Sequence, residues 1–192
     1  MKSLYVFDFD DTLAWTSSHV RVRRQGQLHR VLKPHEYAKY QKKPEDEVDY
    51  SDFARLIDPE VIELTMDEMQ QAYSRGDKVI ILTARGPSVK DDIGSFLEMH
   101  GVKLKPRDIV TLNNSDPAAK GDYVAQMVAE MGFDHVEFFD DSEANVQAVY
   151  DAVSETSPET LIASHHVHHE QPGVRGSEVF FRKLIRELLR RS

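Results

Sequence analysis

Cysteine is absent from this chain, and with it any disulfide framework, thiolate nucleophile or cysteine metal site. A reducing compartment fits that absence, and a cytoplasmic protein is the expectation. Long apolar runs are missing too. No stretch approaches the roughly 20 residues that span a bilayer, so no membrane partner is expected. The apolar segment Leu4–Phe9 is too acidic for a signal peptide. Positive charge is in deficit, with 24 Lys and Arg against 33 Asp and Glu, which argues against coating a nucleic acid along its length. No internal repeat or low-complexity tract interrupts the 192 residues, which are enough for one domain with a proper core.

What the sequence does have is alternation. Short apolar runs at LYVFDF (4–9), KVIILT (78–83), DIVTL (108–112), HVEFF (135–139) and TLIAS (160–164) read as strands. Helix punctuation lies between them. Asp58-Pro59 to Gly76, Ser88 to Gly101 and Asp116-Pro117 to Gly132 each pair an N-terminal signal with a closing glycine. A final helix over 179–190 places Phe180, Phe181, Leu184, Ile185, Leu188 and Leu189 on one face. The pattern predicts a doubly wound, Rossmann-like α/β domain over residues 1–192, with about five parallel strands and helices on both faces. Residues 14–58 break the alternation. HVRVRRQGQLHRVL reads as a hairpin turning at Gln25-Gly26, so this insert after the first strand is a small flap.

The flap is basic. Residues 19–43 carry eight cations, Arg21, Arg23, Arg24, Arg30, Lys33, Lys39, Lys42 and Lys43, against Glu36 alone. That local +7 leaves −16 for the rest of a chain whose net charge is −9. Such an island either receives an anion or forms a solvated hairpin, and composition does not choose between them.

Acidic residues gather where the predicted strands end. VFDFDDTL puts Asp8, Asp10 and Asp11 at the end of the first strand, and FFDDSEAN puts Asp140 and Asp141 at the end of a later one. Ionised carboxylates crowded at buried strand ends repel and lose hydration, so a cation or a function must compensate them. Hard oxygen donors in that number suit magnesium. Thr83 ends another strand with Arg85 two residues on, and Lys120 lies in the helix leading to Asp140.

These residues resemble the haloacid dehalogenase (HAD) superfamily of phosphohydrolases. Asp8, Asp10 and Thr12 match its Asp-x-Asp-x-Thr motif, Thr83 its second motif, Lys120 its third, and Asp140, Asp141 and Asn145 its acidic fourth. The resemblance implies an Mg2+-dependent phosphatase. Asp8 would be the nucleophile and Asp10 the general acid and base, with Thr83 and Lys120 on the phosphoryl oxygens. Metal would be held by Asp8, the Asp10 carbonyl and Asp141, supported by Asp140 and Asn145. The order of Asp140 and Asp141 as direct ligands stays open, with Asp141 favoured. Thr83-Ala84-Arg85 also looks like the Ser-Gly-Arg of polynucleotide 3′-phosphatases, where the arginine touches substrate. With Thr12, Arg21, Arg23, Arg24 and Arg85 as binding residues, the expected partner is a phosphorylated nucleotide or nucleic-acid end. A metabolite or phosphoprotein phosphatase, or a silent nucleic-acid-binding protein on the same fold, are the alternatives. His165, His166, His168 and His169 either ligate a transition metal or form a polar loop, the loop being the commoner role.

Overall fold

The strands KVIILT and HVEFFD carry apolar residues at consecutive positions, Val79 to Leu82 and Phe138-Phe139, and a strand does so when both of its faces are covered. The computed structural model, which describes residues 2–37 and 40–168, shows this arrangement. Its central sheet is formed by β1 (Ser3–Phe7), β7 (Lys78–Thr83), β8 (Ile109–Thr111), β9 (His135–Asp140) and β10 (Leu161–His166). All are parallel, in the order β10-β9-β1-β7-β8. Successive side chains alternate between two cores. Tyr5, Phe7, Val79 and Ile81 enter one, with Met66 and Met69 of α2 (Glu63–Ser74) and Ile93, Phe96 and Leu97 of α3 (Lys90–Met99). Leu4, Val6, Ile80 and Leu82 enter the other, with Val124 and Val128 of α4 (Pro117–Met131) and Val149 and Val153 of α5 (Glu143–Thr156). This is the predicted doubly wound fold. Because the chain leaves β1 toward β7 and β8 and later returns to its other side, the crevice lies at the carboxyl ends of β1, β7 and β9.

The insert carries more structure than its sequence announced. β2 (Ala14–Trp15) pairs antiparallel with β6 (Glu60–Val61), forming a neck. Above it, β3 (Val20–Arg24), β4 (Gln27–Leu32) and β5 (Asp46–Asp49) make a three-stranded antiparallel sheet ordered β4-β3-β5, with the short helix α1 (Pro34–Tyr37) after β4. The predicted hairpin is present. Gln25 and Gly26 both hold positive φ, 52° and 76°, which a tight two-residue turn requires.

Helix boundaries follow their caps unevenly. Asp116 accepts the Ala118 N–H at 3.0 Å and Gly132 closes α4 at φ 65°, as its sequence predicts. The Asp58-Pro59 signal is overridden. Asp58 sits at φ 42°, and α2 starts only at Glu63 because residues 60–61 are drawn into the neck. The helix predicted over 179–190 lies outside the described residues, as does His169. Among the described residues no helix is long and apolar enough to cross a membrane.

Candidate active site

Three strand ends and one helix start supply the site. β1 stops at Phe7, and the Asp8 N–H extends its ladder by one bond, to the Phe139 carbonyl at 2.9 Å. The chain then folds tightly. The Phe9 carbonyl accepts the N–H groups of Leu13 and Ala14 at 3.0 and 3.1 Å, and Asp11 takes φ 54°. This turn buries Phe9 beside Phe96 and leaves Asp8 and Asp10 at the crevice.

Lys120 arrives from the first turns of α4. It is buried, and its Nζ donates to Asp8 Oδ1 and to Asp140 Oδ2, each at 2.7 Å. Its reach depends on how closely α4 packs on α5. A Cβ added at the adjacent Gly121 would stand 2.8 Å from the Ala148 carbonyl oxygen, so only glycine allows this approach. Asp140 is fully buried and well supplied, since Oδ1 also accepts the Ser142 N–H and Asn145 Nδ2, both at 2.9 Å. Asn145 is thus a support for Asp140. Asp141 lies beside it, half-buried.

Asp8, Asp140 and Asp141 each offer an oxygen within 4.8 Å of the others, and they are the metal-ligand group found among the described residues. One lysine cannot neutralise three carboxylates. Lys120 stays charged, because Asp140 and Asp8 outweigh the burial that would lower its pKa. The surplus negative charge appears as proton affinity. Burial first, then Asp140 and Asp10 against the opposing lysine, raises Asp8 to about 7. Burial, then Asp8, Asp140 and Asp11, raises Asp141 to about 8. A group needing two further positive charges fits a divalent ion with oxygen ligands.

The remaining expected site residues divide. Thr83 ends β7 at the same rim, buried, its Oγ1 accepting the Arg85 N–H at 3.2 Å. Thr12 is fully buried in the turn; its carbonyl accepts from Thr65 Oγ1, and its own Oγ1 has no partner among the described residues. Arg85 turns away from the position expected of a substrate contact. Its guanidinium is 1% exposed and grips Asp10 through two 2.7 Å bonds, Nε to Oδ2 and Nη2 to Oδ1.

Two of the flap arginines are likewise engaged. Arg21 pairs with Asp52 at 2.7 Å, and Arg24 gives Nε and Nη2 to Asp46 at 3.0 and 2.8 Å. Asp46 is held well below the usual carboxylate range by the Lys43 N–H, then Tyr40 and Arg24. Arg23 is exposed, opposite Glu47 in the ladder. Among the described residues, two of the eight cations of the basic island, Arg21 and Arg24, are thus paired with acids of β5 and the segments beside it. The signal for this was present: Glu45, Asp46, Glu47, Asp49 and Asp52 follow the island directly, but they count as its partners only once β5 is known to lie on β3.

His165 and His166 belong to β10 and not to a loop. His165 bonds Glu137 and stacks on Phe139 at 4.3 Å, while His166 Nε2 meets the Asp141 carbonyl at 2.9 Å and its ring contacts His168 at 3.9 Å. With these engagements they do not converge as a second metal group among the described residues.

No protein-family model and no curated protein matches the chain. Solved structures do. The HAD domain of the effector protein Lem4 from Legionella pneumophila is 15% identical with a TM-score of 0.50, the match covering 96% of this chain and 94% of that one. The Legionella pneumophila effector Ceg4 is 16% identical with a TM-score of 0.48 over 97% and 93%. The Lem4 neighbour supports a HAD-like fold, and it does not carry the expected relation to polynucleotide 3′-phosphatases. The chain has a Rossmann-like α/β fold matching that of a HAD domain, with a buried carboxylate cluster at the carboxyl end of its sheet.

Proposed function

We propose that the chain is an Mg2+-dependent phosphomonoesterase using Asp8 as nucleophile. The supporting observation is the charge surplus around Asp8, where three carboxylates share one lysine. Asp8 and Asp141, with the Asp10 carbonyl, would hold Mg2+, and Asp140 and Asn145 would brace them. When bound, the ion supplies charge neutralisation for a phosphoryl group approaching carboxylates.

The chain's own residues supply the rest. Lys120 holds one Asp8 oxygen, fixing the carboxylate plane. The other oxygen forms a bond to phosphorus as the bond from phosphorus to the leaving oxygen breaks. Asp10 gives its proton to that oxygen. In the second half Asp10 takes a proton from water, the water oxygen bonds phosphorus, and Asp8 is released. Lys120 and Thr83 would hold the phosphoryl oxygens, and positioning plus charge carries most of the catalysis in this chemistry.

The proposed leaving group is a nucleotide or nucleic-acid end. It rests on the small size of the insert, which leaves room for a bulky substrate, and on Arg23 and Arg30, exposed cations outside any ion pair among the described residues. A panel of nucleotides, 3′- and 5′-phosphorylated oligonucleotides, sugar phosphates and phosphopeptides, with and without Mg2+, tests both parts. Oligonucleotide turnover that requires Mg2+ and vanishes in Asp8→Asn is the expected result. No turnover of any member removes the phosphatase reading, and a preference for sugar phosphates or phosphopeptides replaces the leaving group.

A further inference from the structure

Arg85 has five N–H donors, and the protein uses all of them. Nε goes to Asp10 Oδ2. Nη1 goes to the carbonyls of Phe53 and Arg55 at 3.3 and 2.9 Å. Nη2 goes to Asp10 Oδ1 and to Ser18 Oγ at 2.9 Å, with Thr16 Oγ1 a third partner at 3.2 Å. The guanidinium carbon stands 4.8 Å from the Phe53 ring centre, which closes one face. A cation so enclosed has nothing left to offer a phosphate.

Its effect on Asp10 is specific. A carboxylate has about four lone-pair sites. Oδ1 accepts from Arg85 and from Thr16 Oγ1 at 3.0 Å, so that oxygen is filled. Among the described residues Oδ2 accepts from Arg85 alone and keeps one site open. We propose that Arg85 is a positioning residue for the general acid: it fixes the Asp10 carboxyl plane, reserves the second lone pair of Oδ2 for the transferred proton, and makes this orientation depend on the seating of the flap base at Phe53 and Arg55. The inference rests on the phosphatase reading given above. The seating is independently visible, since Ser88 Oγ holds the Ala54 carbonyl at 2.9 Å and Asp92 accepts the Leu56 N–H at 3.3 Å.

The test is kcat/KM across phosphate monoesters from p-nitrophenyl phosphate to glycerol phosphate, with Mg2+. The proteins are wild type, Arg85→Lys, Ser18→Ala, Asp10→Asn and the double variant Arg85→Lys/Asp10→Asn. A lysine cannot reproduce the two-point grip. Arg85→Lys should lose about a hundredfold on glycerol phosphate, the scale of a misplaced acid, and only about threefold on p-nitrophenyl phosphate, which needs little protonation. The double variant should be no worse than Asp10→Asn, because Arg85 acts only through that carboxyl. A uniform loss across the series that adds to the Asp10→Asn loss overturns the inference and makes Arg85 a phosphate contact. Should Arg85→Lys fail to fold by circular dichroism, Ser18→Ala decides. It should lose about threefold or more on glycerol phosphate and nothing on p-nitrophenyl phosphate, and equal effects overturn the inference. A wild-type protein that turns over no ester overturns the phosphatase reading and this inference together; an active wild type with a flat variant response overturns this inference alone.

Discussion

Changing the pH should change how tightly the site holds Mg2+, by an amount that follows from its geometry. Asp8 and Asp141 keep protons up to about 7 and about 8, and a divalent ion must displace both. With those values the competition factor is about a thousand at pH 6 and close to one at pH 9, so apparent affinity should rise about a thousandfold across that interval. Titration calorimetry in buffers of different ionisation enthalpy reads the proton count directly. Nearly two protons should be released per ion at pH 6 and almost none at pH 9, and Asp141→Asn should reduce the release at pH 6 to about one. The stability of metal-free protein has the opposite sign. Both groups are raised on folding, so the folded state binds more protons than the unfolded one between about 4 and 8. Their contribution is present below the unfolded pKa and is lost as pH rises through the folded values. Thermal midpoints without metal should therefore fall from pH 5.5 to 8.5, and added Mg2+ should restore more at the upper end. An affinity and proton count that do not vary with pH would refute the argument that this cluster awaits two positive charges.

Other predictions are simpler. Asp8→Asn should lower turnover at least about a thousandfold, the scale of a lost nucleophile, while the thermal midpoint holds or rises as a crowded charge is removed. Calcium should inhibit, because it prefers more oxygen ligands at longer distance and would engage both Asp8 oxygens; full rates with calcium replacing magnesium would count against Asp8 as attacking group. Gly121→Ala should cost about 1–3 kcal/mol in denaturant unfolding, as the new methyl meets the Ala148 carbonyl at 2.8 Å, and should reduce turnover by tilting Lys120 away. Neutralising exposed Arg23 and Arg30 should weaken oligonucleotide substrates more than an aryl phosphate, each lost contact lowering the log–log salt slope by about one. Equal falls would leave the flap a brace.

The sheet was legible because its strands are apolar on both faces and the helices between them are punctuated. Asp116 and Gly132 bound α4 as read. The neck was not legible. Ala14–Trp15 and Glu60–Val61 are two residues each, and pairing Ala14 with Val61 and Trp15 with Glu60, so far apart in the chain, leaves no local periodicity. It is also why Asp58-Pro59 misled, since a local cap signal lost to a tertiary pairing. In the site, the crowding of Asp8, Asp140 and Asp141 followed from their places at strand ends. The partners of the cations did not. Whether Arg85, Arg21 and Arg24 face substrate or acids is decided by which segment lies beside them, and that is set by the flap sheet.

Arg21 and Arg24 find their counter-ions within the insert, and its entry and exit strands lie side by side at the neck, Ala14 opposite Val61. Arg85 holds the loop below it through the main-chain carbonyls of Phe53 and Arg55, bonds that ask nothing of the side chains there. The insert is in this sense an interchangeable part. Its outer strands β3 and β4 join the rest of the domain through a neck of two short paired strands. On the phosphatase reading proposed above, changes confined to its outer strands would leave the bonds from Arg85 to Asp10, Phe53 and Arg55 in place.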